Sequence, residues 1–299
     1  MKIGIIGIGK IGSLHLKVFR RIKGVKKLYL VDIDKNKLIN SPYPIFSDYR
    51  KLKDLVDGVV IATPTSTHFS IASFFLESRV PVLVEKPLTP TLKEAESLVK
   101  LAKERRTLLF VGHVERYNAA YICIRKLIKN PQFIECHRLS SYPYRSLDIS
   151  VVLDLMIHDL DIVLDITKDK VKKIEAIGVN VLSPSIDIAN VRLTFKKGCV
   201  ANITASRISK ERIRKFRVFS HNSYISLDYA NQIVEIYQKK NKTIQKKILK
   251  VKKQQPLERE LREFVALVRK KRNPSTFATK AKDALELALK IQKIIEKNI

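Results

Sequence analysis

A chain of 299 residues, 45% hydrophobic and 29% charged, is long enough to bury one or two cores, which excludes a disordered tail or a miniprotein. Only 9 glycines and 11 prolines exclude a collagen-like or linker-dominated architecture. Against 29 acidic residues stand 58 Lys and Arg, and the formal charge of +29 attracts anionic ligands of any size.

In chain order, Lys2–Ile6, Lys27–Val31, Gly58–Ala62, Val80–Val84 and Thr107–Val111 are continuous apolar runs, as expected of strands in a sheet covered on both faces. Helical patterns fall between them at Lys10–Lys23, Asp48–Leu55, Thr67–Ser78 and Thr91–Lys103, the last opened by a capping-box pair, Thr91 and Glu94. This alternation predicts a doubly wound parallel sheet. After Asn118 the pattern changes. Helices over Ala119–Lys129 and Ser150–Ile166 lead into Lys172–Val181, Ala189–Phe195, Val200–Ser206, Arg214–Phe219, Tyr224–Leu227, Gln232–Tyr237 and Thr243–Val251, a mostly antiparallel open-faced sheet. Helices at Leu257–Lys271 and Lys280–Lys297 close the chain. The expected class is α/β: a Rossmann domain over 1–118 and an α+β domain over 119–299.

Gly7-Ile8-Gly9-Lys10-Ile11-Gly12 follows the first strand and opens the first helix, the context of a dinucleotide fingerprint. Gly7 permits the tight turn, Gly9 a close approach of backbone to pyrophosphate, and Gly12 the packing of helix on strand. The helix N-terminus offers N–H groups and dipole to phosphate. Asp32, 20 positions after Gly12, ends the second strand where a carboxylate accepts from ribose hydroxyls. It repels a 2′-phosphate and Lys35 is the nearest cation, so NAD is expected rather than NADP.

With the fingerprint extended to His15, the run Ala62-Thr63-Pro64-Thr65 followed by Thr67-His68, and Glu85-Lys86-Pro87 at a strand end, the whole chain resembles the Gfo/Idh/MocA oxidoreductases. Asp154-Leu155-Met156-Ile157-His158-Asp159-Leu160-Asp161 matches that family's second motif at Asp154, His158 and Asp161 and departs at Met156, where glycine is common. The resemblance implies a nicotinamide-dependent dehydrogenase of sugars, with Thr63, Pro64, Thr65, His68, Glu85 and Lys86 beside the cofactor and a cis peptide before Pro87. Oxidising a secondary alcohol needs a base for the hydroxyl proton and a cation beside the developing alkoxide. His158 is the expected base, with Asp154 on the same helical face and Lys86 steadying the alkoxide; the family also assigns the base role to the lysine. Arg116 and Asn118, in Gly112-His113-Val114-Glu115-Arg116-Tyr117-Asn118, are expected substrate contacts.

That segment together with the Asp154–Asp161 motif resembles the branch acting on nucleotide sugars, implying UDP-N-acetylglucosamine oxidised at its 3-hydroxyl. A sugar aminotransferase is then the expected partner for the 3-keto product. A free sugar, inositol or sugar acid is the alternative substrate. The resemblance also implies a homodimer or homotetramer. Lys239–Lys253 carries eight lysines and no acidic residue, and Arg207–Arg217 six further cations. This leaves a non-catalytic nucleotide- or nucleic-acid-binding protein as the reading from another class, set against a solvated sheet edge that resists aggregation. Cys123, Cys136 and Cys199 form no CxxC pair, so reduced thiols, a cytoplasmic location and no metal are expected. Neither a signal peptide nor an 18-residue apolar span is expected.

Overall fold

The computed structural model describes residues 1–38, 41–142 and 149–298, the side chains of 35 and 38 excepted, so the expectation for Lys35 lies outside the described residues. In chain order the elements are β1 (Lys2–Ile6), α1 (Lys10–Phe19), β2 (Lys27–Val31), β3 (Ile45–Phe46), β4 (Gly58–Ile61), α2 (His68–Glu77), β5 (Val82–Val84), α3 (Leu92–Glu104) and β6 (Leu109–Val111). There follow α4 (Ala119–Ile124), β7 (Phe133–Leu139), α5 (Ile157–Thr167), β8 (Val171–Val179), β9 (Ile188–Phe195), β10 (Val200–Ser206) and β11 (Ile213–Ser220). The chain ends with β12 (Ser223–Asp228), β13 (Ile233–Lys240), β14 (Thr243–Leu249), α6 (Pro256–Arg269) and α7 (Thr276–Glu296). Among the described residues no helix is long and apolar enough to cross a membrane.

Contacts divide the chain into two compact units, Met1–Val114 with Gln255–Asp283, and Glu115–Gln254 with Ala284–Ile299. The sequence reading assigned everything after 118 to one second domain, whereas Gln255–Asp283 returns to the first unit. The cause is the apolar face of α6: Phe264 is wholly buried, 5.9 Å from the ring of Phe110.

The first unit is built on a six-stranded sheet of order β3-β2-β1-β4-β5-β6, parallel throughout. Ile3, Ile5, Val59, Val60, Ile61 and Leu83 are wholly buried, as strands covered on both faces require. Strand order reverses between β1 and β4, so the carboxyl ends of these strands form the ligand-binding edge of such a sheet. Thr91 and Glu94 form the expected capping box on α3. The helix expected over Asp48–Leu55 is a single 3-10 turn, Tyr49–Leu52, held by the Asp48 carboxylate accepting from Arg50 N–H at 3.0 Å.

The second unit carries an eight-stranded sheet of order β14-β13-β12-β11-β7-β10-β9-β8, antiparallel except for the β7–β10 pair. Strand β7 is absent from the sequence reading because its buried face, Ile134, Cys136 and Arg138, includes a charge that breaks the apolar alternation. The lysine run falls on β13 and on β14, an edge strand exposed from Thr243 to Ile248, where lysines oppose pairing with another sheet. Arg207 is wholly buried against Asp187 and adds nothing to a basic surface.

Candidate active site

Residues of the first unit converge on the turn between β1 and α1. Gly7 adopts φ of +88°, and a Cβ there would lie 2.7 Å from the Ala62 carbonyl oxygen. A Cβ on Gly12 would overlap the Gly7 carbonyl oxygen, so only glycine lets α1 sit against the turn. Around the Cβ position of Gly9, by contrast, nothing lies within 4 Å, and Gly9 caps α1 without any side-chain hydrogen bond. Lys10 and Ile11 follow as exposed residues of the first helical turn, which contains no acid. Space at Gly9 beside uncapped helical N–H groups fits a dinucleotide pyrophosphate.

The Asp32 carboxylate is joined to this turn. Its Oδ2 accepts from Ile8 N–H at 2.7 Å and its Oδ1 from Asp34 N–H at 2.9 Å, with Lys37 Nζ at 3.5 Å. A carboxylate has about four acceptor sites, so capacity remains for ribose hydroxyls. Lys37, which the sequence reading passed over, is thus a described cation beside Asp32.

At the end of β4, Thr67 Oγ1 lies 2.7 Å from Thr63 Oγ1 and 2.8 Å from the Pro64 carbonyl, and Thr65 opens a 3-10 turn. His68, expected beside the cofactor, is enclosed by the chain itself. Its ring is 1% exposed, with Nδ1 3.0 Å from the Pro87 carbonyl and Nε2 3.0 Å from that of Thr63. Burial pushes the imidazole pKa down despite these carbonyls, and the ring packs between the Thr63 and Pro87 loops, its neutral form donating to one of the two carbonyls.

Lys86 is half-buried and precedes a cis peptide to Pro87. Glu85 lies behind it, with Oε1 2.7 Å from Nε2 of the fully buried His15 and Oε2 accepting from Lys86 N–H at 3.3 Å. Burial alone would raise the Glu85 carboxyl; the hydrogen bond and charge of His15, with the charge of Lys86, bring it below the usual value. Glu85 and His15 therefore brace the backbone at Lys86. Glu260 on α6 is wholly buried, and neither of its carboxyl oxygens has a hydrogen-bond partner among the described residues. Burial raises its pKa well above the ordinary value, with Glu85 and then Glu263 adding to the rise.

In the second unit the helix expected over Ser150–Ile166 begins with a π-helical turn, Val152–Met156, continuous with α5. Such turns are frequent at functional sites. Asp154 lies inside it and His158 just beyond, both half-buried, whereas Met156 is wholly buried in the core. Arg116 and Asn118, the expected substrate contacts, are both engaged in internal contacts. Arg116 forks onto Asp161 at 2.6 and 2.7 Å and reaches Asp165 at 3.0 Å. Burial alone would lower its pKa, but Asp161 and Asp165 hold it above the ordinary value. Asn118, 2% exposed, caps α4 through Ala120 N–H and donates to Glu115 and the Tyr229 carbonyl. Sequence reasoning also missed Arg138, whose guanidinium is buried between Asp159 at 2.7 and 2.9 Å and Glu115 at 2.9 Å. Nothing in the spacing of β7 distinguishes this arginine from a surface one.

Residues 1–113 match the oxidoreductase family with an NAD-binding Rossmann fold, and residues 130–225 match the GFO/IDH/MocA C-terminal domain. Among curated proteins, UDP-N-acetylglucosamine 3-dehydrogenase of Acidithiobacillus ferrooxidans is 35% identical over 240 residues, 79% of this chain and 77% of that one. Myo-inositol 2-dehydrogenase of Thermotoga maritima is 25% identical over 252 residues, 74% of this chain and 75% of that one. A solved structure of the Acidithiobacillus enzyme superposes with a TM-score of 0.92 at 31% identity, covering 99% of this chain and 98% of that one. The glycine cradle, the braced Lys86 and the matched length of both units carry one conclusion: the chain belongs to the Gfo/Idh/MocA family, NAD(P)-dependent dehydrogenases of CH–OH groups.

Proposed function

We propose that the chain oxidises the 3-hydroxyl of UDP-N-acetylglucosamine to the 3-keto sugar, with NAD as oxidant. The observation that carries this reading is the likeness to the Acidithiobacillus enzyme, 35% identical over 77% of its length, against 25% for the inositol dehydrogenase. A carboxylate at Asp32, held by Ile8 N–H, favours a ribose with free hydroxyls over one bearing a 2′-phosphate. When bound, the nicotinamide takes up the hydride released by the sugar carbon. His158 accepts the proton of the reacting hydroxyl, Asp154 orients the imidazole, and the Lys86 ammonium stabilises the negative charge that develops on the sugar oxygen. Glu85, fixed by His15, holds the Lys86 backbone in place. The surplus of cations lowers the cost of bringing in a diphosphate. The 3-keto product is of the class a sugar aminotransferase consumes. A second copy of the chain is expected on the face of the second sheet bearing Phe133, Phe219, Tyr224 and Tyr237, whose rings follow one another at 5.5, 5.2 and 4.2 Å.

The test is growth of reduced-nicotinamide absorbance with NAD and UDP-N-acetylglucosamine, for the unaltered chain beside Lys86→Ala and His158→Ala. Turnover is expected in the unaltered chain, with a loss of about 10²- to 10⁴-fold in His158→Ala and a comparable loss in Lys86→Ala. Reduction of NAD by inositol but not by the nucleotide sugar overturns the substrate.

A further inference from the structure

Two arginines of the second unit grip α5 from separate sides. Arg116 binds Asp161 through a two-pronged contact at 2.6 and 2.7 Å and Asp165 at 3.0 Å, and Tyr121 OH also donates to Asp165. Arg138 binds Asp159 through a second two-pronged contact, and its remaining NH1 donates to Glu115. Asp159 and Asp161 are each 1% exposed, and the Arg138 side chain is 3% exposed. On a helix advancing about 100° per residue, His158, Asp161 and Asp165 fall within a sector of about 60°, and Asp159 lies about 100° from His158 on the other side. One clamp therefore acts on the stripe that bears His158 and the other on the adjoining stripe. Gripped at two azimuths, the helix can neither roll nor slide without breaking a buried, charge-assisted, two-pronged contact. The π-helical turn Val152–Met156, where the regular ladder is interrupted just ahead of His158, is the place at which an unclamped helix would shift register. Glu115 and Arg116 are neighbours in sequence, so a single 3-10 turn, Val114–Tyr117, supplies one member to each clamp.

We infer that Arg116 and Arg138 are positioning residues for His158, fixing the rotation of α5 so that the imidazole is presented in one orientation. The inference rests on the proposed role of His158 as base. It differs from a purely stabilising role in what it expects of kinetics: a small roll of α5 displaces the imidazole and lowers kcat, while cofactor binding by the first unit is untouched.

Arg116→Lys keeps the charge and removes the two-pronged geometry. The experiment measures kcat, KM for NAD, thermal midpoint, and the position of the His158 imidazole cross-peak, assigned by its loss in His158→Gln, for the unaltered chain, Arg116→Lys and Asp165→Asn. The expected result for Arg116→Lys is a fall in kcat of about tenfold, a part of the roughly 10²- to 10⁴-fold that general-base catalysis contributes, with KM for NAD unchanged and the His158 cross-peak displaced. Asp165→Asn, which leaves the Asp161 fork in place, is expected to show the same changes at smaller amplitude; it carries the test should Arg116→Lys fail to fold. A folded variant with the His158 cross-peak and kcat of the unaltered chain overturns the inference, as does a loss confined to thermal stability. The spectral arm needs no turnover. If the unaltered chain acts on no sugar, the reading of the reaction fails while the positioning of His158 is still decided by its cross-peak.

Discussion

In the first unit Glu260 is wholly buried with neither carboxyl oxygen hydrogen-bonded among the described residues, whereas in the second Asp187, equally buried, accepts from the backbone N–H groups of Val181, Leu182 and Ser183, from Ser183 Oγ and from Arg207. Burial alone would raise both carboxyls. At Asp187 the hydrogen bonds prevail and the pKa falls below the usual carboxylate range; at Glu260 nothing opposes burial and the pKa rises. The parallel sheet is held by apolar runs and close backbone approach, and the Glu260 carboxyl packed beside it holds its proton more tightly than a free one. The antiparallel sheet is cross-linked by charges: Arg207 with Asp187, and Arg138 with Glu115 and Asp159. Asp187 and Glu85, each met by hydrogen bonds and a cation, are thus depressed, and Glu260, met by neither among the described residues, is raised.

Arg207→Met breaks this contrast most severely. The guanidinium is wholly buried and also donates to the Ile149 carbonyl and to Ser183 and Ser185. Removing it leaves Asp187 charged and partly unpaired, at an expected cost of about 3–5 kcal/mol in chemical denaturation. Because the native carboxyl is depressed, its stabilisation is present above the unfolded value and is lost as pH falls through the native one. A cost below about 1 kcal/mol, the range of an exposed pair, would show that the second core does not depend on this ion pair.

For the first unit the corresponding break is steric. Gly12→Ala drives a methyl group into the Gly7 carbonyl oxygen, with an expected loss of about 1–3 kcal/mol in the same measurement. Gly9→Ala meets nothing within 4 Å, so stability should stay within about 0.5 kcal/mol while affinity for NAD, read by fluorescence titration, falls. Equal destabilisation by the two substitutions would refute the assignment of Gly12 to packing and Gly9 to the ligand.

The same contrast explains what could be read in the sequence. Strands β1 and β2 lie where their apolar runs predict, and the glycine fingerprint with Asp32 forms one structure, because backbone shape and burial leave their mark in residue type and spacing. The second unit conceals its logic. Arg116 and Asn118 are polar and follow a strand end, which reads as a ligand contact, yet Arg116 pairs with Asp161 and Asp165 on α5 and Asn118 donates to the Tyr229 carbonyl, partners far away in sequence. Strand β7 escaped notice for the same reason: Arg138 fills a core position that pattern assigns to an apolar residue. A buried ion pair looks like two surface charges until the fold brings its partners together.

Glu260→Gln sharpens the contrast by the smallest and most specific effect. With its native pKa raised above the unfolded value near 4.5, Glu260 holds its proton to higher pH in the folded chain than in the unfolded one. Folding therefore takes up a proton, and stability declines as pH rises from the unfolded value towards the native one, at up to about 1.4 kcal/mol per pH unit from this group. Glutamine has no proton to lose, but its amide adds two donors to a site where the carboxyl oxygens already lack partners. At pH 5 the two chains should accordingly unfold at similar temperatures, with the variant no better than the unaltered chain. As pH rises from the unfolded value towards the native one the variant should gain progressively, as the unaltered chain loses stability and the introduced amide does not titrate. The sign of that slope is the decisive quantity: a difference independent of pH would mean that Glu260 is ionised and partnered in the native chain, as Glu85 is by His15.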